Sequence, residues 1–222
     1  MAEHSLKIGI SIAGVHWEDG SKYRYRNYED AVNEFNTNII QSLIDLGHEP
    51  YVFLYTYSTP KINQLLNAYT HFTDAVIVDE NNQWIPSGQS VQAVNIIRGL
   101  DTLKGLNLDF IIRARFDQKF LLNPFKEYNW DWNKANFLWR EPAHHDLPLL
   151  NDTFFGWPAK WTEQIQHTIE DSELRPYNGI RIALHNLYRP LAEKIGEENI
   201  KLLDDRYVTK EWNKLYKLTR HE

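Results

Sequence analysis

The sequence contains no cysteine, which excludes disulfide staples and thiolate-held metals. It also lacks a positive balance: 24 Lys and Arg stand against 30 Asp and Glu, a net charge of −6. A general nucleic-acid binder carries the opposite excess, so no nucleic-acid partner is expected. No apolar run reaches membrane-spanning length, and residues 1–5 are polar and lead straight into a strand pattern. The expectation is a soluble, cytoplasmic protein without an integral membrane segment. The common active-site signatures are missing as well. There is no Gly-Lys-Ser/Thr phosphate loop, no Gly-x-Gly-x-x-Gly fingerprint, no Gly-x-Ser-x-Gly elbow and no His-Glu-x-x-His pair. P-loop kinases, Rossmann dehydrogenases and serine hydrolases are thereby disfavoured. Internal repeats and low-complexity linkers are absent, and 222 residues suffice for one sizeable core. One domain over residues 1–222 is expected.

What is abundant is aromatic: 8 Trp, 12 Tyr and 10 Phe, side chains that fill cores and also stack on sugars and bases. In the first half, apolar runs alternate with helical periodicity. Residues 6–12, 50–57 and 74–79 read as strands, and residues 28–46, 61–69 and about 90–104 as helices. Val32, Phe35, Ile39, Leu43 and Leu46 recur at helical spacing, with Gly47 placed to cap. The third helix takes its apolar stripe from Val91, Val94, Ile97, Leu100 and Leu103, with Ser87 or Ser90 as its N-cap; Arg98 lies off the stripe. Strands alternating with helices imply an α/β fold, with a mainly parallel central sheet flanked by helices. The second half is less regular. Strands are expected at 136–139, 151–156 and 200–205, and helices at 158–171 and 180–195. Pro190 marks a kink or boundary in the last of these, and the basic tail from residue 210 reads as a short or frayed helix.

One stretch stands out: residues 108–123, LDFIIRARFDQKFLLN. Phe110, Ile111 and Ile112 suit a buried parallel strand. Side chains alternate along a strand, so Arg113, Arg115 and Asp117 share one face while Ala114 and Phe116 take the other. Two guanidinium groups and a carboxylate thus converge where the strand runs out, the end at which open α/β sheets bind ligands. The cluster reads either as a structural ion pair or as an anion site, with arginines for phosphate oxygens and Asp117 for a divalent cation. Gly14 after the first strand allows close backbone approach to a ligand. Asp79 ends the third strand, where a carboxylate either accepts from a base or ribose or caps a turn. His144-His145-Asp146 is the one compact His/Asp group and can supply a base or a ligand.

The order strand, Gly loop, helix, YVFLYTY, DFIIRARFDQKF and NDTFFGW resembles the small GT-A-type glycosyltransferases, including bacterial surface-polysaccharide enzymes and large-DNA-virus relatives. The likeness spans roughly residues 7–171. It departs from the usual Asp-x-Asp motif, since Arg115 occupies the first position and Asp117 is the single acid. The resemblance implies a UDP- or GDP-sugar donor, a glycan acceptor and Mn²⁺ or Mg²⁺. It places the nucleotide in residues 1–122 and the acceptor in residues 123–222. It implies Ala13, Gly14, His16, Trp17, Asp79, Arg98, Arg113 and Arg115 at the nucleotide sugar, and Asp117 at the metal. Asp152 is the leading general base for an inverting transfer, with His145, Asp146 and Glu141 in reserve; His185 is a further metal candidate. Trp130, Trp132, Trp139 and Trp157 are expected to stack on the acceptor. The competing readings are a non-catalytic nucleotide- or glycan-binding module and a metal-dependent phosphohydrolase.

Overall fold

The computed structural model describes residues 5–13, 29–60, 62–69, 71, 73–79, 91–141, 149–174, 187–204 and 214–218. In chain order these form β1 (Lys7–Ala13), α1 (Glu29–Phe35), a π-helical segment (Asn36–Ile40), α2 (Gln41–Asp45), β2 (Glu49–Tyr57), α3 (Ile62–Tyr69), β3 (Ala75–Asp79), α4 (Val91–Asp101), β4 (Phe110–Ala114) and β5 (Gln118–Phe120). There follow α5 (Pro124–Glu127), β6 (Ala135–Phe137), β7 (Arg140–Glu141), β8 (Leu149–Leu150), β9 (Phe155–Pro158), α6 (Thr162–Leu174), α7 (Tyr188–Ile195), β10 (Ile200–Leu202) and β11 (Tyr216–Leu218).

A single α/β domain results, built on a mixed sheet in the order β10-β6-β9-β4-β1-β2-β3. β3, β2, β1 and β4 are parallel neighbours, and β10 is parallel to β6. β9 alone runs against both of its neighbours, β4 and β6. The apolar runs explain the centre. All five residues of β4 are buried, as a strand covered on both faces must be. Ile8, Ile10, Ile12, Phe110 and Ile112 pack on Phe35, Ile39, Leu43 and Leu65. On the opposite face, Ile111, Phe155 and Trp157 meet Ile96, Leu100, Ile165 and Ile169. Each such side chain contributes roughly 1.5–3 kcal/mol by leaving water.

Several sequence expectations change in detail. The helix over residues 28–46 is one run from α1 through α2, with a π-helical stretch inside it. It does end at Gly47, whose φ of 84° suits only a residue without a Cβ. In α4 the buried stripe is Ala93, Ile96, Leu100 and Leu103, one step from the Val91–Val94–Ile97 row. Gly99 lies against the sheet: a Cβ there would come 3.0 Å from Ser11 Oγ and 3.4 Å from the Cβ atoms of Ala13 and Tyr55, so the helix turns its smallest residue to β1 and β2. The strand expected at 151–156 begins only at Phe155, and residues 216–218 form a strand rather than a helix. The Asn123 side chain accepts from the Phe125 and Lys126 amides and caps α5. The tryptophans are core. Trp130, Trp139 and Trp157 are buried, and Trp132 is half-buried, stacked on Trp130 at 5.9 Å and edge-on to His48 at 4.8 Å. Trp130, Trp139 and Trp157 thus sit in the core rather than at an open acceptor face. Among the described residues, no helix is long and apolar enough to cross a membrane.

Candidate functional site

β4 stops at Ala114 because the chain turns at Phe116–Asp117 and leaves the main sheet as β5, which pairs with β11. The Gln118 side chain fixes that turn by accepting from the Arg115 amide at 3.1 Å. The expectation of one continuous strand face through Asp117 is therefore corrected. Arg115 and Asp117 meet across a turn: Nε donates to Oδ1 at 2.7 Å and Nη2 to Oδ2 at 2.8 Å. This bidentate pair is almost fully buried, its side chains 7% and 2% exposed. Burial works against the Arg115 charge, but Asp117 outweighs it and holds the guanidinium above the ordinary arginine range.

Arg113 goes elsewhere. Its Nη1 donates to the carbonyls of Asp152 and Thr153, the latter at 2.7 Å. The antiparallel sense of β9 makes this contact: Arg113 pairs in register with Phe155, so the residues just before β9 lie at the C-terminal end of β4. The guanidinium sits 5.9 Å from the Phe155 ring centre. It is fully buried, and its Nε and Nη2 have no hydrogen-bond partner among the described residues. Burial pushes its pKa down to about 9; Asp152 opposes that shift and Arg115 adds to it. It stays protonated at neutral pH.

Asp152 is itself buried, in a small polar knot. The Tyr216 hydroxyl from β11 lies 3.0 Å from Asn151 Nδ2 and 2.7 Å from Thr153 Oγ1, and its ring stacks on Trp139 at 5.8 Å. Three strands away a second polar group forms. Tyr55 on β2 donates to Asp79 Oδ2 at 2.8 Å, and Arg98 of α4 pairs with the same oxygen. Here the side chains are partly open: Arg98 is 32% and Asp79 18% exposed. Burial and the bond to Asp79 push the Tyr55 phenol up to about 12. Three strand spacings separate β4 from β3, roughly 14 Å.

The structure thus brings Arg113, Arg115, Asp117 and Asp152 together, and joins Asp79 to Arg98. Ala13 is buried at the end of β1, paired in register with Tyr55. Gly14, His16, Trp17, His145, Asp146 and His185 lie outside the described residues, as does the Glu141 side chain. Sequence reasoning missed Tyr55, Gln118, Asn151 and Tyr216. Tyr55 carries a signal, as an aromatic hydroxyl near a strand's C-terminal end; Tyr216, in a tail without periodicity, carries none.

A GT-A-like fold implies a divalent cation at a diphosphate, so the donor set has to fit one. Both oxygens of Asp117 are already held by Arg115. Among the described residues no group of three His, Asp or Glu side chains can hold a metal. The described residues therefore do not make up a cation's ligand set, and the one carboxylate at this turn is already engaged by Arg115.

No protein-family model matches the sequence, and no curated protein matches it. Solved structures do. A nucleoside-diphosphate-sugar pyrophosphorylase from Vibrio cholerae RC9 aligns over 96% of this chain and 95% of its own, with a TM-score of 0.50 and 12% identity. The glycosyltransferase GlyE of Streptococcus pneumoniae TIGR4 aligns over 90% of this chain and 46% of its own, with a TM-score of 0.50 and 10% identity. The chain therefore spans nearly all of the first and under half of the second. At these identities the likeness is one of fold, and that fold is GT-A-like.

Proposed function

We propose that this chain transfers a sugar residue from a nucleoside-diphosphate sugar to a glycan acceptor. The observation that carries the reading is Arg113: a fully buried cation at the ligand end of β4 with two N–H groups unmatched among the described residues. An unmatched buried donor costs about 1–3 kcal/mol, more when charged, so its persistence calls for a partner. Formal charge does not supply the attraction, because Asp117 and Asp152 offset Arg113 and Arg115. The N–H donors do, in a dry setting where a diphosphate oxygen gains most from them. As the glycosidic bond breaks, negative charge grows on the leaving nucleoside diphosphate, and donors fixed beforehand stabilise it without reorganising.

The remaining roles follow from placement. Arg113 holds the carbonyls of Asp152 and Thr153, so it also positions Asp152. Asp152 takes the proton of the acceptor hydroxyl as that oxygen attacks the anomeric carbon, which gives inversion. Asp79, Arg98 and Tyr55 receive the base and ribose at the other end of the strand row. Residues 123–222 supply the acceptor side. In this reading the diphosphate charge is met by arginine, and no step passes through a metal.

Calorimetric titration with UDP and GDP, with and without Mn²⁺, tests it. Binding of one diphosphate without Mn²⁺ is expected. Binding only with Mn²⁺ overturns the arginine assignment, and binding of neither overturns the whole reading. Arg113→Lys keeps the charge but loses the planar fork, so affinity for the diphosphate falls by about tenfold or more while affinity for the bare nucleoside holds. Asp152→Asn lowers turnover by about 10²–10⁴ with donor binding kept. A binding module without chemistry has no turnover to lose in that variant.

A further inference from the structure

A groove of about 480 Å³ opens on a helical face of the molecule, between α1, the π-helical segment and α3. Its polar lining is Asn33, Asn36, Gln64, Asn67 and His71. Val32 and Ala68 form its small apolar floor. Gln64, Asn67 and Ala68 follow the i, i+3, i+4 row of one face of α3, and His71 lies in the turn just past its end. Leu65 and Tyr69 of the same helix are buried in the core, so α3 turns the Gln64 and Asn67 carboxamides to the groove. The five polar side chains make no hydrogen bond to another described residue. Asn36 opens the π-helical segment, a distortion that recurs at functional sites. No residue of the Arg113–Asp152 cluster or of the Asp79–Arg98 pair lines it.

We propose that this groove binds a neutral carbohydrate. The chemistry of the lining selects the class. Among the described residues no Asp, Glu, Lys or Arg lines it, so a phosphate or an ammonium group finds no carboxylate, ammonium or guanidinium counter-charge there. Each carboxamide offers donors and an acceptor on one flat head, which matches the paired hydroxyls of a sugar ring. The volume lies inside the roughly 300–1,000 Å³ span of small-ligand sites. A peptide is disfavoured, because strand addition needs a sheet edge and helix docking needs apolar anchor pockets, and this groove has neither. The groove also touches the catalytic side mechanically: Tyr69, on the back of α3, donates to the carbonyl of Phe116 at 3.0 Å, beside Asp117. A glycan seated here lies against the helix that braces the Arg115–Asp117 turn. The inference stands apart from the nucleotide reading and survives its failure.

The test is a titration of the full ¹⁵N-labelled chain with lactose, maltose and cellobiose, following the side-chain amide signals of Asn33, Asn36, Gln64 and Asn67. At least one disaccharide is expected to shift these four together. In Asn33→Ala/Asn67→Ala, whose exposed sites tolerate alanine in a helix, affinity for that sugar falls by about tenfold or more while the UDP isotherm is unchanged. Three silent disaccharides overturn the proposal. So do shifts that avoid these amides, or shifts raised by N-acetyl-trialanine amide and by no sugar. Loss of UDP binding with the groove shifts intact overturns the nucleotide reading alone.

Discussion

Asp117 is 2% exposed and both of its oxygens belong to Arg115, so neither charge can fall back on water. Removing one partner leaves the other buried without its bidentate bonds. Arg115→Ala is expected to cost about 3–5 kcal/mol in urea unfolding, whereas Arg115→Met/Asp117→Leu, apolar on both sides, costs far less. A similar loss in both would mean that packing and not charge holds the turn. Tyr55 gives a pH signature. Its folded pKa of about 12 lies above the ordinary 10.0, so the folded state keeps the proton longer than the unfolded chain does. The stabilisation from the neutral phenol is whole below pH 10 and is lost as pH rises through 12. Ultraviolet titration should show a late component that shrinks in Tyr55→Phe, what remains including Tyr188, which its bond to Glu197 also raises; a late component of unchanged size would place the shift away from Tyr55.

β9 is the element on which the site depends, and Gly156 is what lets it dock. A Cβ at Gly156 would meet Phe110 at 2.6 Å, the Ile111 carbonyl at 2.9 Å and Trp130 at 3.1 Å. The carbonyl belongs to the β4 backbone and cannot swing aside. Gly156→Ala should therefore destabilise by about 1–3 kcal/mol through overpacking, read by denaturant midpoint, and should loosen Arg113 from Asp152. The same strand marks how far the sequence could be read. Apolar-rich runs such as FIIRA and KIGISIA declare buried parallel strands, so the half from β1 to β4 was legible with its order of elements. Asn151–Gly156 was recognisable as a landmark and Asp152 as a candidate, but its antiparallel sense was not. Direction in a sheet is set by which neighbours a strand finds, and β4 lies about forty residues away in sequence and β6 about twenty. The Arg113–Asp152 contact follows from that direction alone. The turn at Phe116–Asp117 was hidden for a related reason. Nothing in RARFDQKF punctuates it with glycine or proline; the Gln118 side chain and the pairing of β5 with β11 impose it. The tryptophans mislead because an aromatic residue has the same signature in a core and at a sugar face.

At the scale of the whole molecule, two apolar clusters grip one sheet from opposite faces, and β2 and β4 contribute to both. Neither cluster can be lost while the sheet stands, so unfolding should be a single cooperative transition. A ligand bound only by the folded chain then raises the midpoint of the entire molecule. At a concentration one hundred times its dissociation constant, the gain is about 2.7 kcal/mol. For a chain of this size that corresponds to roughly 5–11 °C in Tm. Saturating UDP or GDP is expected to give a rise of this order. Arg98→Ala, which strips Asp79 of its cation but sits partly in solvent, should erase most of the rise with little effect on the unliganded midpoint. Asn33→Ala/Asn67→Ala should leave the rise intact, because the carboxamide groove is built from other elements. If Arg98→Ala keeps the full rise, the base and ribose do not lie along the β2–β3 end of the strand row. The nucleotide would then have to be sought at a different edge of the sheet.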